Sequence, residues 1–343
     1  MGTDDVTTER ATGTPIYALG PEAVTAETER VVFDGCALAV ADVAALDVAG
    51  PGVVPCLQGL LTNDLEAPGP HAFIYGAVLT PKGMIVCDLW AARQRDGVTL
   101  YPPAAGTERL LELFQRSLPP RLAKVSNVSD DRIVYRLVGP AAVEVARRAG
   151  VGIPEPGQGG TGETDGVRYG VARPRHGQPF ALQVSCDRAR GDSLRTALER
   201  AGATPSDPTA LELARILSGW PRLDVEIDNK TLPQEVRYDD IGGVSYSKGC
   251  YTGQETVARL HFRGHANRQL RGLVWKAEAP DAMDATVVRG NKSVGRVTSV
   301  AWIPGARCYV GLGVVRREVS AGDSVTAAGA PATVADPPIA LSA

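Results

Sequence analysis

The pattern of apolar and polar positions divides the chain into two regions of different character. Up to residue 267, strand and helix patterns follow one another irregularly. The pattern over residues 72–94 predicts two strands around a Pro-Lys-Gly turn, and residues 106–118 have apolar positions at helical spacing. From residue 268 onward, short β patterns are separated by glycine turns. We therefore predict an α+β fold that ends in a small antiparallel barrel or sandwich.

Two segments are predicted to lack regular structure. Residues 1–29 are polar and rich in Thr and Glu, so we expect a flexible arm. Residues 31–43 then predict a strand, a turn and a second strand. Residues 152–166 are rich in Gly, Pro and Thr, which predicts an exposed loop. These limits give three parts: an arm at 1–29, a mixed central region at 30–267 and a β domain at 268–343.

The composition argues against several classes of partner. Hydrophobic residues make up 44% of the 343 positions and charged residues 22%, as in soluble globular proteins. The formal net charge of -3 gives no reason to expect nucleic acid or an anionic membrane as the main partner, although a local basic patch stays open. The N-terminal segment lacks the apolar core of a signal peptide, and no apolar run reaches membrane-spanning length. We therefore expect a cytoplasmic location.

The six cysteines include one in an unusual context. They are scattered without any C-x-x-C pair, so no four-cysteine zinc or iron–sulphur site is predicted. Residues 248–255 read KGCYTGQE, in which Thr252 and Glu255 match a helix capping box. The helix would then end near Gly264. Its N-terminal dipole and the charge of Lys248 would both stabilise a thiolate at Cys250.

Other interpretations of this cysteine and its surroundings are weaker or remain open. A cysteine hydrolase needs a base beside its nucleophile, and His261 lies more than two turns into the predicted helix. His261 and His265 have the i, i+4 spacing of a metal pair, but the helix ends between them, so we expect no metal site. A purely structural Cys250, filling space at a junction between two elements, stays open.

The region that contains KGCYTGQE, residues 215–264, resembles the signature region of the folate-binding YgfZ proteins. The resemblance extends to the stretches LQGLLTNDL and VLTPKGMIVCDLW, and to SVGRVTSVAW and GLGVVRRE near the C-terminus. The YgfZ family is similar in fold to the T-protein, the aminomethyltransferase of the glycine cleavage system. Its mitochondrial counterparts serve the maturation of iron–sulphur proteins.

This resemblance implies a three-domain ring around a channel that holds tetrahydrofolate. Residues 30–267 would form two intertwined subdomains with mixed α/β folds, and residues 268–343 a small antiparallel β-barrel. The implied protein is a cytoplasmic monomer that assembles or repairs iron–sulphur proteins, including enzymes that modify tRNA. Its partners would be those client enzymes or assembly proteins, with no direct contact to nucleic acid or membrane. An iron–sulphur cluster would be held only transiently, because one exposed thiolate cannot hold it alone.

The resemblance also assigns roles to individual residues. Cys250 would be the working thiol, with Lys248 beside it as the second catalytic residue. The residues expected to contact the folate are Asn63, Asp64, Tyr75, Tyr251, Gln254, Glu255, Arg259 and Arg263.

Several of these residues have a structural alternative. Asn63 and Asp64 are also typical turn formers. Glu255 is explained by the capping box alone. The two arginines of the predicted helix would either hold the carboxylates of a folate tail or pair with Asp239 and Asp240.

Two positions depart from the T-protein pattern. T-proteins have an acidic pair at the end of the second hairpin strand, whose first acid assists folate chemistry, and here the pair is Cys87-Asp88. A T-protein glutamate two residues after the arginine that matches Arg215 is replaced by Leu217, which cannot accept hydrogen bonds from a pterin. Because aminomethyl transfer needs a carboxylate near the folate nitrogen, we expect no classical turnover. A folate-dependent aminomethyl transferase is the alternative.

Overall fold

The computed structural model describes residues 16–175 and 178–341. The β-strands of these residues are β1 (Tyr17–Leu19), β2 (Ala37–Val40), β3 (Leu46–Ala49), β4 (Phe73–Leu79), β5 (Ile85–Gln94), β6 (Gly97–Tyr101), β7 (Lys124–Asn127), β8 (Arg132–Val138), β9 (Gln158–Thr164), β10 (Val167–Arg173), β11 (Leu182–Asp187), β12 (Thr204–Pro205), β13 (Arg268–Trp275), β14 (Thr286–Arg289), β15 (Lys292–Ile303), β16 (Cys308–Arg316), β17 (Ser324–Ala327) and β18 (Ala330–Ala335). The α-helices are α1 (Ala26–Phe33), α2 (Val53–Gln58), α3 (Thr107–Ser117), α4 (Ala142–Arg148), α5 (Gly191–Arg200), α6 (Thr209–Ser218) and α7 (Gln254–Arg263). Among these helices, none combines the length and the apolar character that crossing a membrane requires.

The strands form three sheets, and the α+β class is confirmed. Strands β4, β5, β6, β3 and β7 make an antiparallel five-stranded sheet in that order. A six-stranded sheet has the order β12, β2, β8, β11, β10, β9. The six C-terminal strands β13–β18 close into an antiparallel barrel, because β15 pairs with both β14 and β16. The predicted hairpin β4–β5 and the amphipathic helix α3 are also confirmed.

The predicted flexible arm is wrong for residues 16–29, and residues 1–15 lie outside the described residues. Strand β1 pairs in parallel with the second half of β15, so the N-terminal segment extends the barrel sheet. Helix α1 follows, with the Thr25 side chain accepting a hydrogen bond from the Thr28 backbone N–H at its start. The strand predicted from residue 31 is instead the end of α1, whose Val31 and Val32 are buried. Eight residues give too short a window for a clear helical period.

The predicted loop at 152–166 is also partly wrong. Residues Gln158–Thr164 form β9, which pairs with β10 along its whole length at the edge of the six-stranded sheet. Asp165 and Gly166 connect the two strands, and both have positive φ angles, of 47° and 69°. This is the conformation of a tight two-residue hairpin turn. The Gly- and Thr-rich composition concealed the strand, because an exposed edge strand needs few apolar side chains.

Helix α6 lies where the sheets and the barrel meet. It packs against α1, β2, β8, β15 and β16 and buries Ala210, Leu213 and Ile216. The helix ends at Gly219, whose φ of 68° allows a left-handed cap in which the Gly219 and Trp220 backbone N–H groups bond back to the last turn. The cap turns the chain sharply, and the following residues then form one wall of a cavity.

Candidate functional site

A cavity of about 290 Å³ lies between α6, β5, β8 and the segment after α6. Its walls include an aromatic group and several charged side chains, among them Asp88, Trp90, Arg136, Phe180, Glu212 and Trp220. Tyr17 of β1 also lines it, so the segment predicted as a flexible arm contributes to the site.

Aromatic rings give the cavity a flat apolar wall. Trp90 and Trp220 are nearly parallel, with an interplanar angle of 12° and centroids 5.7 Å apart. Phe180 meets Trp90 edge-on at 5.0 Å, and Tyr75 supports Trp220 from behind at 4.6 Å. Trp90 also stacks on Phe73, with ring centroids 4.8 Å apart, so the wall is a stack of aromatic rings. Such an apolar aromatic wall is suited to the ring of a heterocycle.

Asp88 is the buried acid of this cavity. Its Oδ2 atom accepts a hydrogen bond of 2.9 Å from the Tyr75 hydroxyl, which lies 3.1 Å from the Tyr238 hydroxyl. The other oxygen, Oδ1, is buried without a hydrogen-bond partner among the described residues. Burial raises the pKa of Asp88 to about 6, although the hydrogen bond from Tyr75 opposes this rise. The free oxygen can therefore accept a hydrogen bond from a ligand.

The sequence predicts that the acids of the T-protein pattern are lost, but one buried acid remains in this cavity. Cys87 is fully buried, and its thiol packs so closely on Gly106 that an added Cβ there would lie 2.5 Å from Sγ. Asp88, the next residue, lines the cavity. Successive side chains of a strand point to opposite faces, so only one member of the Cys87-Asp88 pair can face the cavity. The pair keeps its acid on the cavity side.

Arg136 of β8 is the counterpart of Asp88. Its Nε donates to Gln183 Oε1 at 3.1 Å, and its guanidinium lies 4.2 Å above the Phe180 ring. Its Nη2 atom is buried without a partner in the part of the chain that the structure describes. Burial lowers the pKa of Arg136 to about 10, so the side chain stays charged at neutral pH. An unsatisfied donor and an unsatisfied acceptor thus belong to two residues that line one cavity.

The second departure, Leu217, lies outside this cavity. Leu217 packs in the hydrophobic core. The carboxylate that α6 presents to the cavity is Glu212, which accepts from Arg215 Nε at 2.8 Å and lies 3.1 Å from Arg222 Nη1. An acid is therefore present on this wall too, but both of its contacts are to arginines.

Lys248 has a structural position. Its ammonium group donates to the backbone carbonyls of Gln58, Leu61 and Asn63, at 2.8, 2.6 and 3.1 Å. Burial lowers its pKa to about 8. All three N–H donors are used at the end of α2, and none is free for the Cys250 thiol. These contacts anchor the segment around Lys248 on the end of α2, and the catalytic role predicted for Lys248 beside Cys250 stays a prediction.

Replacing Lys248 with methionine is expected to lower the free energy of unfolding by about 2–4 kcal/mol, because three buried carbonyls lose a charged donor. Lys248→Arg, which keeps the charge and several donors, should lose less. Urea unfolding followed by circular dichroism measures both. A loss below about 1 kcal/mol for the methionine variant would show that water replaces the ammonium group.

The predicted capping box is wrong, although the helix it predicted is confirmed as Gln254–Arg263. The residue at the N-cap is Gly253, with a φ of 83°, and no side chain caps the helix. An added Cβ at Gly253 would lie 2.6 Å from the carbonyl oxygen of Thr80, so only glycine fits against the β4–β5 turn. Close packing on this turn decides the helix start. Glu255 and Cys250 are both exposed to solvent.

The other predicted folate residues have structural roles or lie on the surface. Asn63 donates through Nδ2 to the carbonyls of Tyr75 and Gly242, at 2.8 and 2.7 Å. Asp64 accepts hydrogen bonds from the side-chain amide of Gln58 and from two backbone N–H groups of its own turn. Partial burial would raise the pKa of Asp64, but these hydrogen bonds lower it. Tyr251 is buried, which raises its pKa to about 12. Gln254 is half-buried in the first turn of α7.

Arg259 and Arg263 are exposed on α7, and the expected pairing with Asp239 and Asp240 is not seen among the described residues. Asp239 contacts the Tyr246 hydroxyl and His261 Nδ1 instead, the latter at 3.2 Å. Asp240 accepts from Arg237.

Among the described residues, the walls of the cavity contain none of the eight predicted folate contacts, although Tyr75 lies directly behind Asp88. The prediction missed Asp88, Arg136 and Trp220. One signal was available: Arg136 is a lone internal cation in the apolar strand RIVYRLV. The described residues also contain no group of three or more His, Cys, Asp or Glu side chains arranged to hold a metal ion.

Comparisons with known proteins identify the family. The family model of the GCVT N-terminal domain matches residues 17–151, and that of the glycine cleavage T-protein C-terminal barrel domain matches residues 268–339. The tRNA-modifying protein YgfZ of Edwardsiella ictaluri is 32% identical over 231 residues, 67% of each chain. This chain belongs to the YgfZ family. Another YgfZ protein, from an Enterobacter species, is 28% identical over 275 residues, 78% of this chain and 82% of its own.

The YgfZ chain also has a structural neighbour. The crystal structure of glycine cleavage system aminomethyltransferase T from Bartonella henselae superposes with a TM-score of 0.75 and covers 92% of this chain and 89% of its own. At 17% identity, this similarity shows the fold alone. The family and the T-protein-like fold predicted from the signature are therefore confirmed.

Proposed function

We propose that this YgfZ family member binds a reduced folate in the cavity and supports, through Cys250, the assembly or repair of iron–sulphur enzymes that modify tRNA. The observation that carries the folate part is the pair of unsatisfied buried atoms, Asp88 Oδ1 and Arg136 Nη2, beside an aromatic wall. The tRNA part is supported by relatives that carry the name tRNA-modifying protein.

The pterin ring of a folate could pair with both unsatisfied atoms, Asp88 Oδ1 and Arg136 Nη2. It is planar, it carries N–H donors, and it carries a carbonyl acceptor. Asp88 would accept from the donors, Arg136 would donate to the carbonyl, and Trp220 would cover a ring face. Each buried polar atom left unpaired costs about 1–3 kcal/mol, so a ligand that pairs both atoms is favoured. A bound reduced folate would supply a carrier for one-carbon units.

The thiol would act outside the cavity. Cys250 is exposed on the loop that Lys248 anchors, and it does not line the cavity. One thiolate provides one ligand, so a cluster or its sulphur would be transferred at this position as cargo and would not stay there. The exposure of Cys250 is what contact with a client protein requires.

A folate-dependent aminomethyl transferase is the second candidate. Asp88 supplies a carboxylate in the cavity, which general acid–base chemistry at a folate nitrogen needs. An aminomethyltransferase from a Parafrankia species is 27% identical over 296 residues. Formation of methylenetetrahydrofolate from an aminomethyl donor by the purified protein would establish this function.

Titration with tetrahydrofolate, followed by the fluorescence of Trp90 and Trp220, tests the cavity. Folate N–H donors favour the ionised form of Asp88, whose pKa is about 6. Affinity should therefore rise as the pH increases through about 6 and fall below it. Asp88→Asn should bind about tenfold more weakly above this pH, because a charge-assisted hydrogen bond becomes a neutral one. Its pH profile should be flatter than that of the wild type.

Asp42→Asn is the matched control, because Asp42 lines the same cavity but is exposed to solvent. It should leave the affinity within a factor of two or so of wild type. Equal affinities and equal pH profiles for wild type and Asp88→Asn would remove Asp88 from the site. Absence of saturable quenching in the wild type would reject folate as the ligand.

A further inference from the structure

Exposed arginines lie on α7 and on the neighbouring strands β13 and β16 of the barrel, and the proposed function does not use them. We call this surface the basic band, and its members are Arg259, Arg263, Arg268, Arg316 and Arg317. Helix α7 ends at Arg263, and β13 begins five residues later at Arg268. The two parts are joined on the barrel side, where the Arg317 backbone N–H donates to the Asn267 carbonyl at 3.0 Å.

The basic band places like charges next to each other at two points. Arg259 and Arg263 are four residues apart on the exposed face of α7, where side chains are neighbours. Arg268 lies directly opposite Arg316 in the β13–β16 register. Like charges in such pairs destabilise a helix or a sheet. The repetition of unfavourable pairs on one surface indicates an anionic partner.

Carboxylates neutralise only part of this charge. Glu235 holds Arg268 through two hydrogen bonds, of 2.9 and 3.2 Å. Glu318 lies 4.0 Å from Arg316, and both side chains are more than 60% exposed, so this pair is weak. For the other three members of the band, the described residues contain no carboxylate within ion-pair distance. The band therefore keeps a positive potential, although the whole chain has a net charge of -3.

An aromatic side chain stands on the helical part of the band. Phe262 is 67% exposed, the largest exposed fraction of any aromatic residue that the structure describes. It meets Tyr246 and His261 at interplanar angles of 73° and 88°, so these contacts are edge-to-face. In sequence it lies between Arg259 and Arg263. An exposed ring among cations is the arrangement by which proteins stack unpaired bases while arginines hold phosphates.

We propose that the basic band binds RNA, with phosphates on its arginines and an unpaired base stacked on Phe262. An acidic protein is the less suitable partner, because the core of a stable protein interface needs an apolar cluster and this surface offers one ring. The expectation of no nucleic-acid partner came from the charge of the whole chain. That average conceals a local band in which the described carboxylates contact only two of the five arginines, Arg268 and Arg316.

Fluorescence anisotropy with a labelled single-stranded RNA of about 12 nucleotides tests the proposal, with unfractionated tRNA as competitor. Between about 50 and 200 mM salt, the logarithm of the affinity should fall with a slope of about -0.7 for each phosphate neutralised. Arg263→Glu and Arg317→Glu should each weaken binding several-fold and make this slope shallower. Phe262→Ala should lose about tenfold without changing the slope.

Two controls separate the band from general charge and from the cavity. Arg116→Glu changes an equally exposed arginine on α3, outside the band, and should leave binding unchanged. Phe262→Leu keeps an apolar side chain but no ring, and should behave like Phe262→Ala if a base stacks there. The tetrahydrofolate affinity of Arg317→Glu should equal that of wild type, because Arg317 belongs to the band and not to the predicted folate site. The folate proposal and this one are therefore tested by different titrations.

The proposal is wrong if the wild type binds neither RNA probe at low salt, or if Arg263→Glu and Arg317→Glu weaken binding no more than Arg116→Glu does. Binding that Phe262→Ala leaves intact would equally exclude the stacking arrangement. Since all the substituted side chains are exposed, circular dichroism melts of the variants should overlay on that of the wild type.

Discussion

Replacing Cys250 with alanine is expected to reduce the activity of an iron–sulphur tRNA-modifying enzyme in cells to the level seen without this protein. The thiol is exposed on an anchored loop, and its removal leaves the cavity and the Lys248 contacts in place. The substituted protein should therefore fold normally and bind tetrahydrofolate as the wild type does. The measurement is the extent of the tRNA modification in a deletion strain re-supplied with either protein under mild oxidative stress.

Cys56→Ala is the matched control for this experiment. Cys56 is a half-buried free thiol on α2, the helix whose end Lys248 holds, so it tests loss of a thiol in the same neighbourhood. Full rescue by Cys56→Ala and none by Cys250→Ala would place the working thiol at Cys250. Equal rescue by both variants would make Cys250 structural. A deletion strain without any defect would instead direct attention to the transferase.

The signature combines two functions that the sequence alone did not separate. Lys248 and Gly253 fix the loop, one through three carbonyls of α2 and the other through its close approach to the β4–β5 turn. Cys250 lies between them and remains exposed. The contacts of Lys248 in this arrangement are structural, and its predicted effect on the thiol stays a prediction. That difference predicts a stability loss for substitutions of Lys248 and a loss of function without unfolding for Cys250.

Much of the fold followed from local patterns, because its strands alternate clearly and its turns carry strong signals. The β4–β5 hairpin and the C-terminal barrel are examples. The errors arose where distant contacts decide the structure. Strand β1 has three residues and forms only because β15 offers it an edge. Thr252 is a good capping residue by composition, but the packing of Gly253 on the hairpin turn moves the helix start.

The site was harder to predict than the fold, for a physical reason. Many of the predicted site residues belong to the signature and are close together in sequence. The cavity instead combines β5, β8 and α6, which are distant in sequence. Strand alternation alone could distinguish Asp88 from Cys87. It could do so only once the face of β5 that carries Trp90 was known to line the cavity. Buried polar atoms without partners, such as Arg136 Nη2, are visible only in three dimensions.

Replacing Glu226 with alanine is expected to lower the free energy of unfolding by about 3–5 kcal/mol, because a buried arginine loses a partner. Glu226 is almost fully buried and accepts from Arg215 Nη1 at 3.1 Å and from the Ser299 hydroxyl at 2.6 Å. Arg215 belongs to α6 and Ser299 to β15, so this carboxylate connects the cavity wall to the barrel. Its loss would leave the Arg215 charge with Glu212 as its remaining acid.

Chemical denaturation of Glu226→Ala, Glu226→Gln and Glu144→Ala separates charge from packing. The glutamine variant keeps the shape and some hydrogen bonds, so its loss should be smaller, about 1–3 kcal/mol. Glu144 pairs with Arg147 on the surface, where both side chains are more than half exposed, and its removal should cost less than about 1 kcal/mol. If Glu226→Ala were no more destabilising than Glu144→Ala, water would be replacing the carboxylate. The barrel would then be held to α6 by apolar packing and by the direct hydrogen bond of 2.8 Å from Arg215 Nη2 to the Ser299 hydroxyl.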